Sequence, residues 1–208
     1  MKYVNELVER YGALMPLKAD IEAAVEKIIE SYKKGGKVLL CGNGGSASDS
    51  DHVAGELLKG FLMKREPQGE ELSALKAELC DDASKLQRGV PAIPLPQLSG
   101  VLSAFANDVD PSLVYAQLVY ALGRRGDILI AFSTSGNSVN TLKAAKCARA
   151  LGITVISLTG ESGGALRALS DIYLSAPEKE TFKVQEYHLP IYHAICAEVE
   201  NILFGDQR

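Results

Sequence analysis

Apolar residues in the first 34 positions recur at three- and four-residue spacing, as Ile21 and Val25 illustrate. This spacing places apolar side chains along one side of a helix, so it predicts helices with a single buried stripe. Gly35-Gly36 follows, and glycine at that place is typical of a helix C-terminus. Residues 1–34 are therefore predicted to form N-terminal helices.

Beyond residue 36, short continuous apolar runs alternate with longer helical patterns. Such runs indicate parallel strands that are covered on both faces, so we expect an α/β fold. The predicted strands are 37–41, 127–132, 153–158 and 171–174, with 90–95 at an edge because of its prolines. The predicted helices are 48–63, a segment that follows residue 138 and ends near 151, and 179–204.

Residues 66–89 differ from their surroundings because charged residues such as Glu66 and Glu70 crowd there. Leucines, among them Leu72 and Leu75, are spaced like one side of a helix. We predict a charged, partly exposed helical insertion between two core elements. Two interpretations are open: a solvated surface helix, or a partner surface or lid near a functional site.

The composition of the 208 residues fits one globular domain, since 47% are hydrophobic and 23% are charged. The net charge of −4 argues against a nucleic-acid-binding protein that relies on broad basic attraction. No apolar run approaches the ~20 residues that span a bilayer, and residues 1–6 lack the apolar core of a signal peptide. We therefore expect a single domain over residues 1–208, in the cytoplasm, with neither nucleic acid nor membrane as partner.

The four cysteines stand far apart in the sequence, without a C-x-x-C pair. This distribution predicts neither a zinc ribbon nor a disulfide framework. Three of them lie in apolar patterns, so we interpret the cysteines as thiols without a catalytic role. The four are Cys41, Cys80, Cys147 and Cys196.

Two loops rich in glycine and hydroxyl groups, Gly42–Ser48 and Ser133–Ser138, each follow a predicted buried strand and precede a helix. Backbone N–H groups at a helix N-terminus favour an anion, and ligands of parallel sheets bind at this edge. Neutral donors suit the phosphate ester of a small molecule, so we predict phosphate binding. The alternative is that these residues only cap helices and make turns. The hydroxyl-bearing residues are Ser46, Ser48, Ser133, Thr134, Ser135 and Ser138.

The first loop partly matches two nucleotide-binding motifs. Gly42-x-Gly44-x-x-Ala47 fits the dinucleotide fingerprint, but the next predicted strand ends without the acidic residue that would hold a ribose. The P-loop motif requires a lysine, and none follows Gly44-Gly45. The loop is therefore interpreted as a phosphate-binding loop without commitment to a nucleotide.

Two pairs of polar residues are candidates for a metal site. His52 and Glu56 are four residues apart on a predicted helix, which puts both side chains on one face. Gln185 and His193 lie on the last predicted helix, about 80° apart around its axis. Together these nitrogen and oxygen ligands could close a four-ligand zinc site. The alternative is that His52 and Glu56 form only a surface ion pair.

Other polar residues of the last predicted helix are interpreted as structural. His188 lies about 140° around the helix axis from His193, so we expect it to pack in the interior or to face solvent. Tyr187 and Tyr192 are interpreted as core or interface residues rather than as catalysts.

Six segments form a series along the chain: Cys41-Gly42-Asn43-Gly44-Gly45-Ser46, His52-x-x-x-Glu56, Asn107-Asp108, Ser133-Thr134-Ser135-Gly136-Asn137-Ser138, Leu158-Thr159-Gly160 and Gln185-Glu186-x-His188-x-x-x-x-His193. Taken together and in order, they resemble the motifs of the phosphoheptose isomerases, which are sugar isomerase (SIS) domain proteins. The resemblance covers nearly the whole chain apart from residues 68–88.

The resemblance implies a three-layer α/β/α sandwich with a mainly parallel, flavodoxin-like sheet. It implies a homotetramer whose active sites are shared between subunits. It also implies an aldose–ketose isomerase that converts sedoheptulose 7-phosphate to D-glycero-D-manno-heptose 7-phosphate through an enediol. In such a reaction a proton moves between adjacent carbons, a task for a carboxylate and a second acid–base group, while zinc would polarise the carbonyl.

The resemblance further assigns roles by position. His52, Glu56, Gln185 and His193 would bind zinc. Glu56 would act as the base and His193 as its acid partner. The phosphosugar substrate would contact both loops, with the 133–138 loop taking the phosphate. The residues that would contact it are Asn43, Gly44, Ser46, Asp108, Ser133, Thr134, Ser135, Ser138 and Gln185.

Three departures from the family pattern leave the identity of the sugar open. Residues 59–61, Lys-Gly-Phe, stand where the family usually has an Arg-aromatic pair. Residues 182–184, Phe-Lys-Val, stand where it usually has an Asp-Arg pair. Pro190 lies inside the last predicted helix and removes one of its hydrogen bonds. A related phosphosugar is therefore a second candidate for the substrate.

Two other functions are alternatives to the isomerase. One is a non-catalytic SIS-domain regulator that binds a phosphosugar, like the relatives that associate with the replication initiator. Those relatives tend to lose the acid–base residues, so the presence of His52, Glu56, Gln185 and His193 favours the enzyme. The other is a phosphosugar etherase or lyase, against which the predicted zinc ligands argue.

Overall fold

Five short strands form a single sheet in the computed structural model, which describes residues 1–205. The strands are β1 (Val38–Cys41), β2 (Ala92–Pro94), β3 (Ile128–Ser133), β4 (Thr154–Thr159) and β5 (Ile172–Ser175). Their order in the sheet is β2-β1-β3-β4-β5, and every neighbouring pair is parallel. The segments that follow β1 and β3 therefore leave the same edge of the sheet side by side.

Eight α-helices surround the sheet within the described residues. They are α1 (Lys2–Arg10), α2 (Lys18–Lys33), α3 (Gly45–Leu58), α4 (Gly69–Leu79), α5 (Ser99–Asp108), α6 (Val114–Leu122), α7 (Val139–Leu151) and α8 (Thr181–Phe204). Short 3-10 turns join several of them. None of the helices in residues 1–205 combines the length and the hydropathy of a membrane-spanning segment.

Helices cover both faces of the sheet. On one face α1, α2, α3 and α8 pack against strand residues that include Leu40 and Ile130. On the other face α6 and α7 pack against Leu39 and Leu129. Neighbouring residues of one strand point to opposite layers, so every position of β1 and β3 is buried. This arrangement confirms the expected three-layer α/β/α fold and explains why the strands are continuously apolar.

Helix α3 ends five residues before the end of the predicted helix 48–63, so the predicted C-terminal boundary was wrong. It begins at Gly45 and ends at Leu58. Beyond it, the side chain of Arg65 donates hydrogen bonds to the carbonyl oxygens of Glu56 and Leu57, at 2.9 and 2.7 Å. These carbonyls lack partners within the helix, so the returning chain satisfies them in place of another turn.

Helices α5 and α6 were not predicted from the apolar pattern, and the edge strand 90–95 is only partly formed. No residue of α5 is fully buried, and its apolar stripe, Leu102, Phe105 and Ala106, is short and only half-buried against the core. The edge strand is reduced to the three residues of β2, which pair with β1 alone. Its place at the edge is as the prolines predicted.

The predicted insertion 66–89 contains α4, followed by a 3-10 turn over Cys80–Lys85. None of the eleven residues of α4, all of them described, is buried. Its leucines lie at the surface, and Leu79 is 44% exposed. Helix α4 is therefore an exposed helix within this stretch, and the choice between a solvated helix and a partner surface or lid stays open.

The cysteines are free thiols rather than disulfides. Cys41 and Cys196 are buried, and burial raises the pKa of each thiol to about 12. Thiols that stay protonated are poor nucleophiles. These two cysteines are therefore core residues.

Candidate functional site

The first loop turns sharply out of β1 and begins α3. Gly44 precedes the helix with φ +55°, a conformation that favours glycine. Gly45, the first helical residue, leaves room for a side chain from α8: a Cβ built there would lie 2.5 Å from Nε2 of Gln185. Ser46 is buried in the same turn. The loop thus brings Gln185 against the N-terminus of α3.

The second loop leaves β3 and is held by its own polar groups. The hydroxyl of Ser133 donates to that of Ser138 at 3.1 Å, and the amide of Asn137 donates to Ser135 Oγ at 3.2 Å. Gly136 has φ +67°, and a Cβ there would collide with the carbonyl oxygen of Gly163. The loop is therefore packed tightly and presents its hydroxyls at the N-terminus of α7, where an anion is favoured.

Two asparagines join the first loop to the helix that follows the second. Asn43 Nδ2 donates to Asn140 Oδ1 at 3.0 Å, and Asn140 Nδ2 donates back to Asn43 Oδ1 at 2.9 Å. The same Oδ1 of Asn140 accepts from the amide of Thr141. This reciprocal pair fixes the spacing between the two loops. Asn140 was not among the site residues predicted from the sequence.

Helices α3 and α8 bring three of the four predicted metal-binding residues together. His52 Nε2 lies 3.3 Å from Oε1 of Glu56, one turn along α3. The same Nε2 lies 3.4 Å from Nε2 of His193 on α8. The side chain of His52 is 42% exposed, so this cluster is open to solvent on one side.

The carboxylate of Glu56 keeps one oxygen uncommitted. Oε1 lies 3.3 Å from Nε2 of His52, whereas Oε2 is buried and accepts no hydrogen bond from the described residues. Lys59 Nζ lies 3.7 Å from Oε2, beyond hydrogen-bonding distance. A buried carboxylate oxygen that has an ion-pair neighbour but no hydrogen bond is costly, which is typical of a group that meets a ligand or takes up a proton.

The two cluster imidazoles have different surroundings. Partial burial lowers the pKa of His193, the neighbouring His52 lowers it further, and Glu56 opposes both effects. His193 is therefore neutral at pH 7, with one nitrogen to donate and one to accept a proton. His52 is held on its other side by the Tyr192 hydroxyl, 3.0 Å from Nδ1, and that hydroxyl donates to Asp49 Oδ1 at 3.3 Å.

The donors of this cluster fit a zinc ion in kind. Two ligands about 2.0–2.1 Å from a tetrahedral zinc are separated by roughly 3.3–3.4 Å, and the His52 and His193 Nε2 atoms are 3.4 Å apart. A carboxylate with a free oxygen completes a nitrogen and oxygen set that suits zinc. His52 contacts both Glu56 and His193. Residues 1–205 contain no group of three His, Cys, Asp or Glu side chains that are all close enough together to hold a metal ion.

Two predicted substrate residues lie apart from the two-helix cluster. Asp108 is exposed at the C-terminal end of α5, where it accepts a hydrogen bond from Asn107 at 2.8 Å. In the described part of the chain, no hydrogen bond links it to either loop. Thr134 is half-buried, and its carbonyl oxygen accepts from the amide of Gly160 at 2.9 Å.

A buried ion pair behind the cluster was missed by the sequence analysis. Arg65 and Glu200 are joined at 2.7 Å, and both side chains are almost completely excluded from solvent. Glu200 also accepts hydrogen bonds from the amides of Phe61 and Leu62, at 2.7 Å each. Arg65 lies between the predicted helix 48–63 and the predicted charged insertion 66–89, so no sequence signal distinguished it.

Comparison with known proteins places this geometry in a family. The model of the SIS domain matches residues 2–89 and 89–160. The phosphoheptose isomerase of Burkholderia pseudomallei is 38% identical, over 98% of this chain and 95% of the relative. The phosphoheptose isomerase of Mycobacterium bovis is 40% identical, over 88% of this chain and 82% of the relative.

Solved structures agree with these sequence matches. A phosphoheptose isomerase from Francisella tularensis superposes with a TM-score of 0.78 at 31% identity. The superposition covers 96% of this chain and 95% of that one. The chain therefore belongs to the SIS-domain family and, within it, to the phosphoheptose isomerases, a group of aldose–ketose isomerases.

Proposed function

We propose that this protein isomerises sedoheptulose 7-phosphate to D-glycero-D-manno-heptose 7-phosphate. The observation that carries the proposal is the meeting of Glu56 on α3 with His193 on α8, through His52. These residues come from two helices that are far apart in the sequence, and Gln185 of the same helix α8 lies against Gly45, where the first glycine-rich loop ends. Family membership supports a phosphosugar substrate.

Glu56 has the properties of the base that the reaction requires. Conversion of a ketose to an aldose removes a proton from C1, forms an enediol, and returns a proton to C2. Within residues 1–205, one oxygen of the Glu56 carboxylate has no hydrogen-bond partner, which leaves it able to take the carbon-bound proton and return it. Because the same group performs both transfers, the carboxylate ends the cycle unprotonated.

His193 is suited to the oxygens of the substrate. Its lowered pKa keeps the ring neutral, so it can donate a proton to one oxygen while accepting one from the other. The ring lies beside Phe61, with the ring centroids 5.6 Å apart. An aromatic neighbour on one side and Tyr192 on the other limit the orientations that the imidazole can take.

We further propose that the cluster holds zinc through His52, Glu56, Gln185 and His193. The support is the nitrogen and oxygen set of α3 and α8 and the 3.4 Å separation of the two imidazole nitrogens. When bound, the metal would polarise the substrate carbonyl and stabilise negative charge on the enediol oxygen. The protein residues would still carry the protons.

The two loops are proposed to hold the rest of the substrate. The phosphate would meet the hydroxyl-rich loop and the free amides at the start of α7, with neutral donors from Ser133, Thr134, Ser135 and Ser138. The sugar hydroxyls would meet Asn43, Gly44 and Ser46 in the first loop. The reciprocal bonds between Asn43 and Asn140 keep the two regions at a fixed spacing.

We propose that the active form is a homotetramer with sites shared between subunits. Helix α5 supports this, because none of its ten residues is buried although the segment exposes Val101 and Val109, at 47% and 64%. Exposed apolar surface of this kind is typical of protein interfaces. Asp108 ends α5 and would enter the site of a neighbouring subunit.

The test is to incubate the protein with sedoheptulose 7-phosphate in deuterated water. We expect the aldose to form with deuterium at C2, since the base exchanges its proton with solvent. Hexose and pentose phosphates should react more slowly, and Glu56→Gln should not react. If the protein binds a phosphosugar tightly but shows neither turnover nor proton exchange, the isomerase proposal fails and the non-catalytic regulator becomes the better interpretation.

A further inference from the structure

A tyrosine that the reaction does not use is hydrogen-bonded to the back of the cluster. Tyr192 is 3% exposed, and its hydroxyl lies 3.0 Å from Nδ1 of His52. The same hydroxyl donates to Oδ1 of Asp49 at 3.3 Å. Asp49 and His52 lie on the same face of α3, three residues apart, whereas Tyr192 reaches them from α8.

The direction of these hydrogen bonds follows from counting protons. A tyrosine hydroxyl has one proton, and the carboxylate of Asp49 can only accept it. The hydroxyl oxygen is then an acceptor toward His52, so the imidazole donates from Nδ1. A neutral imidazole that carries its proton on Nδ1 has its lone pair on Nε2, the nitrogen that faces Glu56 and His193.

We propose that Tyr192 and Asp49 are positioning residues that hold the proton of His52 on Nδ1 and present the lone pair of Nε2 to the cluster. The importance of this tautomer for zinc and for isomerisation rests on the proposed function. The hydrogen-bond arrangement itself does not.

Packing alone does not account for the hydroxyl of Tyr192. Its ring makes edge contacts with Phe132 and with both cluster imidazoles, at centroid distances of 5.1 to 6.2 Å. A phenylalanine would keep these ring contacts. The hydroxyl adds only the two polar contacts, and a buried hydroxyl without partners would be unfavourable. Its function is therefore expected to lie in the chain Asp49–Tyr192–His52.

The first experiment compares the tautomers of His52 in the wild-type protein and in Tyr192→Phe. Nitrogen-15 NMR of the full chain, recorded above the titration of the histidines, reports which ring nitrogen carries the proton. His188→Gln and His193→Gln spectra assign the three histidine signals. We expect the wild-type His52 to be protonated on Nδ1, and Tyr192→Phe to shift the proton toward Nε2.

A second variant tests the role of Asp49 in the opposite direction. In Asp49→Ala the tyrosine hydroxyl loses its acceptor, so it is free to donate to Nδ1 of His52. We expect the His52 proton to move to Nε2 even though Tyr192 is present. If His52 keeps one tautomer in the wild type and in both variants, the proposal is overturned.

Zinc binding to the metal-free protein gives a second readout. Loss of a group that orients a metal ligand typically lowers metal affinity by about 10- to 100-fold. We expect a loss in this range for Tyr192→Phe and an unchanged affinity for Tyr187→Phe, a matched variant on the same helix. Tyr187 packs edge-on against Tyr11, away from the cluster. Equal affinities of the two variants would remove the link between the tyrosine and the metal.

These readouts separate the two proposals. If the protein isomerises no phosphosugar and binds no zinc, the tautomer measurement still tests the positioning role. If the protein isomerises the heptose phosphate but the His52 tautomer is the same in the wild type and in Tyr192→Phe, only the positioning role fails. Thermal unfolding of each variant shows whether a change reflects the hydrogen bonds rather than a loss of fold.

Discussion

Arg65 and Glu200 form a buried ion pair that joins the segment after α3 to the final helix α8. Their side chains are 1% and 0% exposed, and Nε lies 2.7 Å from Oε1. The same guanidinium holds the carbonyl oxygen of Glu56, and α8 carries His193 two turns before Glu200. The pair thus connects the backbones of the two residues proposed to move protons.

Breaking this ion pair from one side is expected to destabilise the fold strongly. Glu200→Ala would leave the Arg65 guanidinium buried without its counter-charge, at a cost of about 3–5 kcal/mol in the free energy of unfolding. Urea unfolding followed by circular dichroism measures the change. Arg65→Met combined with Glu200→Met should cost less than the two single changes added together, because no charge is left alone. Strict additivity would contradict the buried pairing.

Replacing Glu56 by glutamine is expected to abolish turnover while the fold stays intact. Glutamine has the shape of the carboxylate but cannot take a proton, so the rate should fall by at least about 100-fold. The measurement is aldose formation from sedoheptulose 7-phosphate, with thermal unfolding as the check on folding. The matched control is Glu26→Gln on the exposed side of α2, which should keep wild-type turnover. A Glu56→Gln enzyme with near-normal rates would exclude this residue as the base.

We expect the purified protein to contain about one zinc ion per chain and to lose activity on chelation. Metal analysis and assays before and after zinc is restored measure both. His52→Ala and His193→Ala should lower the zinc content. His188→Gln is the control, because the His188 ring lies in the core and faces Thr159 instead. Full turnover by a thoroughly metal-free preparation would contradict the zinc proposal.

The buried His188 is expected to make stability depend on acid pH. Burial lowers its pKa to about 4 in the folded protein, although its bond with the Thr159 carbonyl opposes this. The unfolded chain, with a pKa near 6.5, binds the proton more readily between these values. Stability is therefore full above pH 6.5 and falls as the pH drops toward 4, by roughly 3 kcal/mol for this group.

The measurement is the urea midpoint at several pH values between 7 and 4 for the wild type and for His188→Gln. Glutamine keeps a donor for the Thr159 carbonyl but does not titrate in this range. The variant should show a shallower decline, since the remaining decline comes from other groups. Identical slopes for the two proteins would show that His188 contributes nothing to the acid sensitivity.

Asn140→Ala is expected to weaken phosphosugar binding with little effect on the chemical step. The change removes both hydrogen bonds between residue 140 and Asn43, and it leaves the Asn43 side chain free to move. One net hydrogen bond is worth about 1 kcal/mol, which corresponds to a rise in KM of roughly five-fold. Steady-state kinetics separate KM from kcat. A large fall in kcat at constant KM would instead place Asn140 among the reacting groups.

The sheet was predictable from the sequence because its strands are buried on both faces. β1 and β3 present only apolar side chains up to their last residues, so composition alone revealed them. Helix α5 was not predicted, because its apolar stripe, Leu102, Phe105 and Ala106, spans little more than one turn and is only half-buried. The end of α3 depended on Arg65, seven residues beyond Leu58, and no local rule predicts such a return of the chain.

The sequence predicted that His52 and Glu56 lie side by side, but not the contacts between the two helices of the candidate site. The four-residue spacing of His52 and Glu56 put them on one face of a helix, and the pairing at 3.3 Å follows from that geometry. The contact of His52 with Tyr192 spans 140 positions and depends on how α3 and α8 pack. Residue spacing gives the neighbours of a side chain within one helix, so hydrogen bonds between the two helices could not be predicted from it.

Helix α8 supplies His193, Tyr192 and Gln185 to the site and packs against three other helices. A ribosome that has synthesised the chain up to β5 has produced the complete sheet and both loops, but none of these side chains. During translation the nascent protein therefore has the framework of the enzyme before it has the means to catalyse. We therefore expect no activity before this final helix has left the exit tunnel and docked.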